Sequence, residues 1–280
     1  MLKTKGEQKS LEISAERTTL RAEWLELWSY RDLIGILVGR ELKGRYRQMA
    51  LGPAWIVLVP LLNVFVFTVI FGKFAGLPSD GSPYALFSLA GVSVWTGFAT
   101  AVTRSASSLV NNMPLISKVY FPRAIVVIAA AAGSSAEMGA SVLAFFALGA
   151  FYGVLPTARL AALPAFMILA LAFALGLGLS VAALSVRFRD VGFGVGFAVQ
   201  LLMYASPVVY PTTMVPSRWR PLFQLNPMTS AIDGFRWCLL PSGAAPDSRG
   251  LAVGILIAVG CLWVGIQLFR RAEATVVDVL

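Results

Sequence analysis

Apolar positions fall along this chain in long unbroken runs, and most of the charged positions between the runs are basic. Pro53 to Gly72 gives twenty consecutive positions without a charge, the length needed to cross about 30 Å of hydrocarbon at about 1.5 Å per residue. Five further runs follow, at about Tyr84–Thr103 with a polar extension to Asn111, Ala124–Tyr152, Leu160–Val186, Val191–Tyr210 and Leu251–Phe269. The pattern predicts an all-α integral membrane protein with six transmembrane helices.

Ahead of the first run, Arg40, Lys43, Arg45 and Arg47 fall within eight residues. Basic residues beside a first span tend to stay in the cytoplasm, so this junction orients everything after it. With six spans both termini are expected to be cytoplasmic, and sixteen Lys/Arg then fall on inner segments against six on outer ones. Arg104, near the inner end of the second span, can snorkel towards the inner water. Ser29-Tyr30-Arg31-Asp32 has capping-box spacing, with Leu33, Ile34, Leu37 and Val38 recurring at helical spacing after it. This predicts an amphipathic N-terminal interface helix on the inner membrane surface, or a solvated basic leader that only orients the chain. On a continuous helix Glu41 would fall among the apolar residues, so a break is expected near Gly39. The chain divides into a cytoplasmic tail (1–28), a basic interface segment (29–52) and a six-span domain (53–280). Nothing before residue 50 resembles the apolar core of a secretory signal, so no cleavage is expected.

The outer loop between spans five and six, 211–250, is long and holds Trp219, Phe223, Phe235 and Trp237. Short re-entrant or interfacial helices are expected to bury those rings. Among the inner loops, 111–123 mixes apolar residues with Lys118 and Arg123 between Pro114 and Pro122. It is either a partner surface or a helix end packed on its own bundle. A second inner loop, 187–190, is brief and basic.

Composition narrows the chemistry. Apolar side chains make up 58% of the 280 residues and charged ones 13%, and the mean hydropathy of +0.76 agrees with a membrane protein. The net charge of +9 reads as topology and not as a nucleic-acid footprint, since the basic residues cluster at the ends of apolar runs. There is no histidine, which excludes Ser-His-Asp and Cys-His catalysis and any His-ligated metal, and Cys238 and Cys261 form no metal motif. Glu137 is the one acid well inside a predicted span, and with no second intramembrane carboxylate a structural or cavity-facing role is favoured over a proton relay. Gly192 to Gly196 is glycine-rich but apolar, which points to close helix packing. Asp233 and Asp247 read as ordinary loop acids and not as a catalytic pair. No Walker A pattern occurs, so any ATP that drives this protein is hydrolysed on another polypeptide.

Three stretches together resemble the membrane subunit of ABC-2-type polysaccharide exporters, the permeases of O-antigen, capsule and teichoic acid. They are Asp32 to Trp55 with its Glu-Leu-Lys-Gly-Arg-Tyr-Arg, Leu115 to Arg123, and Ser206-Pro-Val-Val-Tyr-Pro211 with Leu225-Asn-Pro-Met-Thr229 and Gly234-Phe-Arg236. The resemblance implies a homodimer in the bacterial inner membrane, with two copies of an ABC ATPase that carry the ATP and Mg. No cofactor is implied on this chain. Pro114, Leu115, Ile116, Lys118, Tyr120 and Arg123 would then receive the ATPase's motion, with Arg187 and Arg189 as a second contact. Pro207, Tyr210, Asn226, Pro227 and Arg236 would shape the outer gate. The substrate implied is a polyprenyl-diphosphate-linked polysaccharide, whose charge Arg40, Lys43, Arg45 and Arg47 would attract at the inner surface; alternatively, those four serve topology alone. Phe65, Phe71, Trp95, Phe98 and Tyr204 are aromatic candidates for the pathway. Rival readings are an ABC-2 permease for another amphiphile, a membrane glycosyltransferase or ligase, and a channel or scaffold.

Overall fold

The computed structural model of the chain describes residues 27–46, 49–119 and 121–276, which form helices and the turns and loops between them, with no strand among them. Five stretches are long and apolar enough to cross a membrane: Gly52–Phe74, Tyr84–Asn111, Ala124–Phe151, Ala158–Ser185 and Ser248–Glu273. Within them lie α2 (Trp55–Phe67), α3 (Tyr84–Asn111), α5 (Ala124–Gly133) with α6 (Ser135–Phe151), α7 (Leu163–Arg187) and α11 (Ser248–Val276). The fifth predicted span is a shorter helix, α8 (Arg189–Tyr204). Its 16 residues reach about 24 Å. The remaining helices are α1 (Arg31–Tyr46), α4 (Met113–Ile116), α9 (Arg220–Gln224) and α10 (Pro227–Leu239).

α3 is the spine. Small residues let its neighbours come close, and large ones fill the gaps between them: Leu86, Leu89, Val94 and Phe98 are fully enclosed, and Phe98 stacks on Phe173 of α7 at 5.4 Å. A Cβ at Gly97 would lie 2.2 Å from Met138 of α6. The tightest crossing is between α7 and α11. There a Cβ at Gly176 would sit 2.6 Å from the Leu262 backbone nitrogen, and one at Gly265 only 2.3 Å from Gly176 O. Two glycines facing each other bring these backbones together, as small residues do where lipid supplies no hydrophobic drive between helices.

By contrast α2 and α11 present mostly outward-facing apolar surface. α8 carries an exposed stripe of Phe193, Phe197, Leu201 and Tyr204. The glycines of α8, expected to serve close packing, do not do so within this chain, because a Cβ at Gly194 or Gly196 would meet nothing within 4 Å.

Glycine does not interrupt α1, which runs unbroken through Gly39. The expected break rested on Glu41 being stranded among apolar residues, but Glu41 has a partner, Arg104 of α3, at 3.6 Å. The apolar face of α1 lies against protein: Leu37 is buried, with Leu33, Ile34 and Val38, over Phe121, Ile125, Val126 and Ala129. Gly35, Ile36, Arg40 and Lys43 line the opposite, open side of the helix.

Candidate functional site: two polar knots at opposite ends of the spine

The first knot forms where α8 stops. After Tyr204 the chain runs on through 205–211 without helix while staying buried at Ser206, Pro207, Val208 and Val209. Buried backbone without regular structure must find partners for its carbonyls, and in a lipid-embedded protein water cannot supply them. Here two side chains do so at three successive residues. Arg236 donates from Nη2 to Val208 O at 2.8 Å and from Nη1 to Tyr210 O at 3.3 Å, while Tyr84 donates its hydroxyl to Val209 O at 2.5 Å. A Cβ at Gly91 would lie 2.7 Å from Val208 O, so glycine there lets the unwound segment approach α3.

Arg236 belongs to α10, whose start is built by Asn226-Pro227. Asn226 accepts the Met228 N–H at 3.0 Å as an N-cap and donates from Nδ2 to Ser206 Oγ at 2.8 Å, so one side chain begins the helix and ties it to the unwound segment. Pro227, at the first helical position, is buried and has no N–H to leave unpaired. Tyr210 donates its hydroxyl to Tyr204 O at 3.0 Å and sets its ring edge-on to Phe223. Pro207, Tyr210, Asn226, Pro227 and Arg236, widely separated in sequence, are thus brought into one assembly.

The charge of Arg236 is balanced from two sides, by Asp233 at 3.8 Å and by the face of Phe87 at 3.7 Å. Burial pulls its pKa down to about 10, against the upward pull of Asp233, which leaves it charged at neutral pH. Asp233 is therefore not an ordinary loop acid: it lies on α10, pairs with Arg236 and accepts from Thr212 Oγ1 at 2.8 Å. Asp247 accepts the Gly250 N–H at 2.9 Å near the start of α11.

The second knot lies towards the other end of α3. Arg104 does not snorkel out of the bundle. Its side chain is 20% exposed and turns inward, donating from Nη2 to Glu137 Oε1 at 3.0 Å and facing Glu41 across 3.6 Å. Glu137 sits in the first turn of α6, just past the interruption at Ser134 between α5 and α6, and is buried. Three elements, α1, α3 and α6, are therefore joined by one guanidinium. A small cavity of about 170 Å³ adjoins them, lined by Arg40, Glu41, Arg104, Asn111 and Asn112 among others. Arg40 donates to Asn112 Oδ1 there.

Beyond this knot, Pro114 and Lys118 are exposed, whereas Leu115 and Ile116 are half-buried against Phe121, Ile125 and Val126. The backbone N–H of Arg123 donates to Glu273 Oε1 at 3.3 Å, which fastens the loop to the end of α11. Arg187 ends α7 and Arg189 opens α8. Lys43 is exposed and Arg45 lies in the last turn of α1, while Arg47 and Tyr120 lie outside the described residues. Of the aromatic candidates, Trp95 and Phe98 are core residues, while Phe65 and Tyr204 are exposed. Sequence reasoning missed Tyr84 and Gly91, and misjudged Glu41 and Arg104. The available signal was Arg104 itself, a lone cation inside an apolar run with Glu137 in the next one.

Long apolar helices packed around one spine and tied by polar knots at each end define a polytopic helical membrane protein. Residues 32–240 match the ABC-2 type transporter family, and the chain belongs to that family. It is 31% identical over 252 residues to the O-antigen export system permease protein RfbA of Myxococcus xanthus, covering 89% of this chain and 96% of that protein. Two proteins of the same description from Klebsiella pneumoniae are 26% and 24% identical, over 73% and 89% of this chain and 79% and 95% of their own lengths.

Proposed function

We propose that this chain is the permease subunit of an ABC transporter that exports lipid-linked polysaccharide, a polyprenyl-diphosphate-linked O-antigen, across the bacterial inner membrane. The observation that carries the reading is the near full-length similarity to a permease named for O-antigen export, within a family match over most of the chain. On this reading α8 and the unwound 205–211 together make the fifth of six crossings, and α9 and α10 re-enter from the outer side. Both termini are cytoplasmic. Two copies form one pathway, and the exposed stripe of α8 with its open glycines suits a second copy. Two copies of a separate ATPase, carrying the ATP and Mg, dock at the end that bears α1, α4 and the α7–α8 junction. The exposed Pro114 and Lys118 would meet that ATPase, while the half-buried Leu115 and Ile116 would pass its motion to α1 and α5.

Deletion of the gene in its host tests the function directly. Loss of surface polysaccharide with long lipid-linked polymer accumulating inside is the expected result, and sugar analysis of that polymer separates O-antigen from capsule, teichoic acid or another amphiphile. Loss at both places, with only unextended precursor left, would identify an enzyme of synthesis instead. For the inner surface, replacing Arg40, Lys43, Arg45 and Arg47 with Gln should reduce export in a correctly oriented protein. Intact export would remove their role in attracting the diphosphate.

A further inference from the structure

The outer face holds a cavity of about 590 Å³ beside the first knot, within the ~300–1,000 Å³ range of pockets that enclose small molecules. Its walls come from the α2–α3 loop, the segment after the unwound strand of chain, α9, α10 and the loop before α11. Three carboxylates, Asp80, Asp233 and Asp247, and three guanidinium groups, Arg220, Arg236 and Arg249, line it together. Their formal charges cancel, so the cavity has no net pull on a cation or an anion. Nor do three or more acidic, cysteine or histidine side chains converge into a metal cluster among the described residues.

Three carboxylates of the wall accept from neighbouring side chains. Thr213 Oγ1 donates to Asp80 at 3.2 Å, Thr212 Oγ1 to Asp233 at 2.8 Å and Gln224 Nε2 to Asp247 at 3.0 Å. Arg236, 5% exposed, uses one N–H from each terminal nitrogen on a carbonyl, and its Nε has no hydrogen-bond partner. A buried donor without a partner is costly, so this end of the wall is richer in donors than its protein partners use. A hydroxyl both donates and accepts, so a ring of adjacent hydroxyls is the chemistry that matches carboxylate and guanidinium groups side by side. We propose that this cavity binds a short uncharged stretch of the exported glycan as it emerges on the outer face. The proposal rests on the export reading above and assigns the glycan a specific contact on this chain.

The test uses the full-length protein in nanodiscs and, as probe, oligosaccharides released by mild acid from the host's own surface polysaccharide, titrated by saturation-transfer NMR. Ala245→Trp fills the cavity from an exposed position on its rim, and Leu155→Trp places the same ring on an exposed loop elsewhere. The wild type and Leu155→Trp should bind alike, and Ala245→Trp should weaken binding at least roughly tenfold, about 1.4 kcal/mol. Inorganic phosphate should not compete. No binding to the wild type, undiminished binding to Ala245→Trp, or displacement by phosphate would each overturn the proposal. The deletion strain separates the two ideas: if it loses surface polysaccharide while the purified chain binds no glycan, only the cavity proposal falls, and if it keeps its polysaccharide, the export reading falls as well.

Discussion

Arg104→Met is the perturbation whose outcome the structure specifies most closely. The guanidinium holds Glu137 at 3.0 Å and Glu41 at 3.6 Å, with side-chain exposures of 20% for Arg104, 8% for Glu137 and 31% for Glu41. Removing one partner of a buried pair leaves an uncompensated charge and costs about 3–5 kcal/mol. For a chain near this size that corresponds to a fall of roughly 6–20 °C in melting temperature. Glu137→Met should cost a similar amount, whereas Glu41→Gln, on the more exposed arm, should cost under about 1 kcal/mol. The double variant Arg104→Met/Glu137→Met decides the matter, because replacing both members of a buried pair by apolar groups is often close to neutral. Cys238 provides the assay: it is 2% exposed, and burial pushes its thiol up to about 11, so a maleimide dye reports it only on unfolding, best in a Cys261→Ala background. If the double variant melts as low as the two single losses added together, the groups are not coupled and the ion-pair argument fails.

Other perturbations probe the remaining contacts. Asn226→Ala removes the N-cap of α10 and the tie to Ser206, and should lower stability by about 1–2 kcal/mol in the same thiol assay. Arg236→Lys keeps the charge but not the two-pronged reach to Val208 O and Tyr210 O; stranding one carbonyl should cost about 1–3 kcal/mol, seen as earlier Cys238 labelling. Gly176→Val would force α7 away from Leu262 of α11 and should lower stability by at least about 1–3 kcal/mol, while Gly194→Val on α8, where nothing lies within 4 Å, should leave the isolated chain unchanged. On the proposed function, Gly194→Val should instead weaken self-association measured by cross-linking in membranes.

The spans were legible because a hydrophobic run of membrane length has few other meanings: Pro53 to Gly72 reads as a crossing before any neighbour is known. What sequence could not give was pairing at a distance. Glu41 looked like a helix breaker because periodicity sees only the residue's own element, and the cation that makes it tolerable lies 63 positions further on, at Arg104. Arg236 was legible as part of a motif, but its work, donating to carbonyls 26 and 28 residues upstream, follows from α8 stopping short at Tyr204. Both knots obey one rule. Where the chain departs from a plain apolar helix, at the meeting of α1, α3 and α6 or at the unwound 205–211, an arginine from another element satisfies what the departure leaves exposed. The unwound 205–211 lacks the self-contained backbone bonding that makes a span rigid, whereas the helices that meet at the α1–α3–α6 junction keep theirs. Residues 205–211 are therefore the part of this fold best suited to rearrange, while the ion-paired α1–α3–α6 junction anchors the other end of the spine.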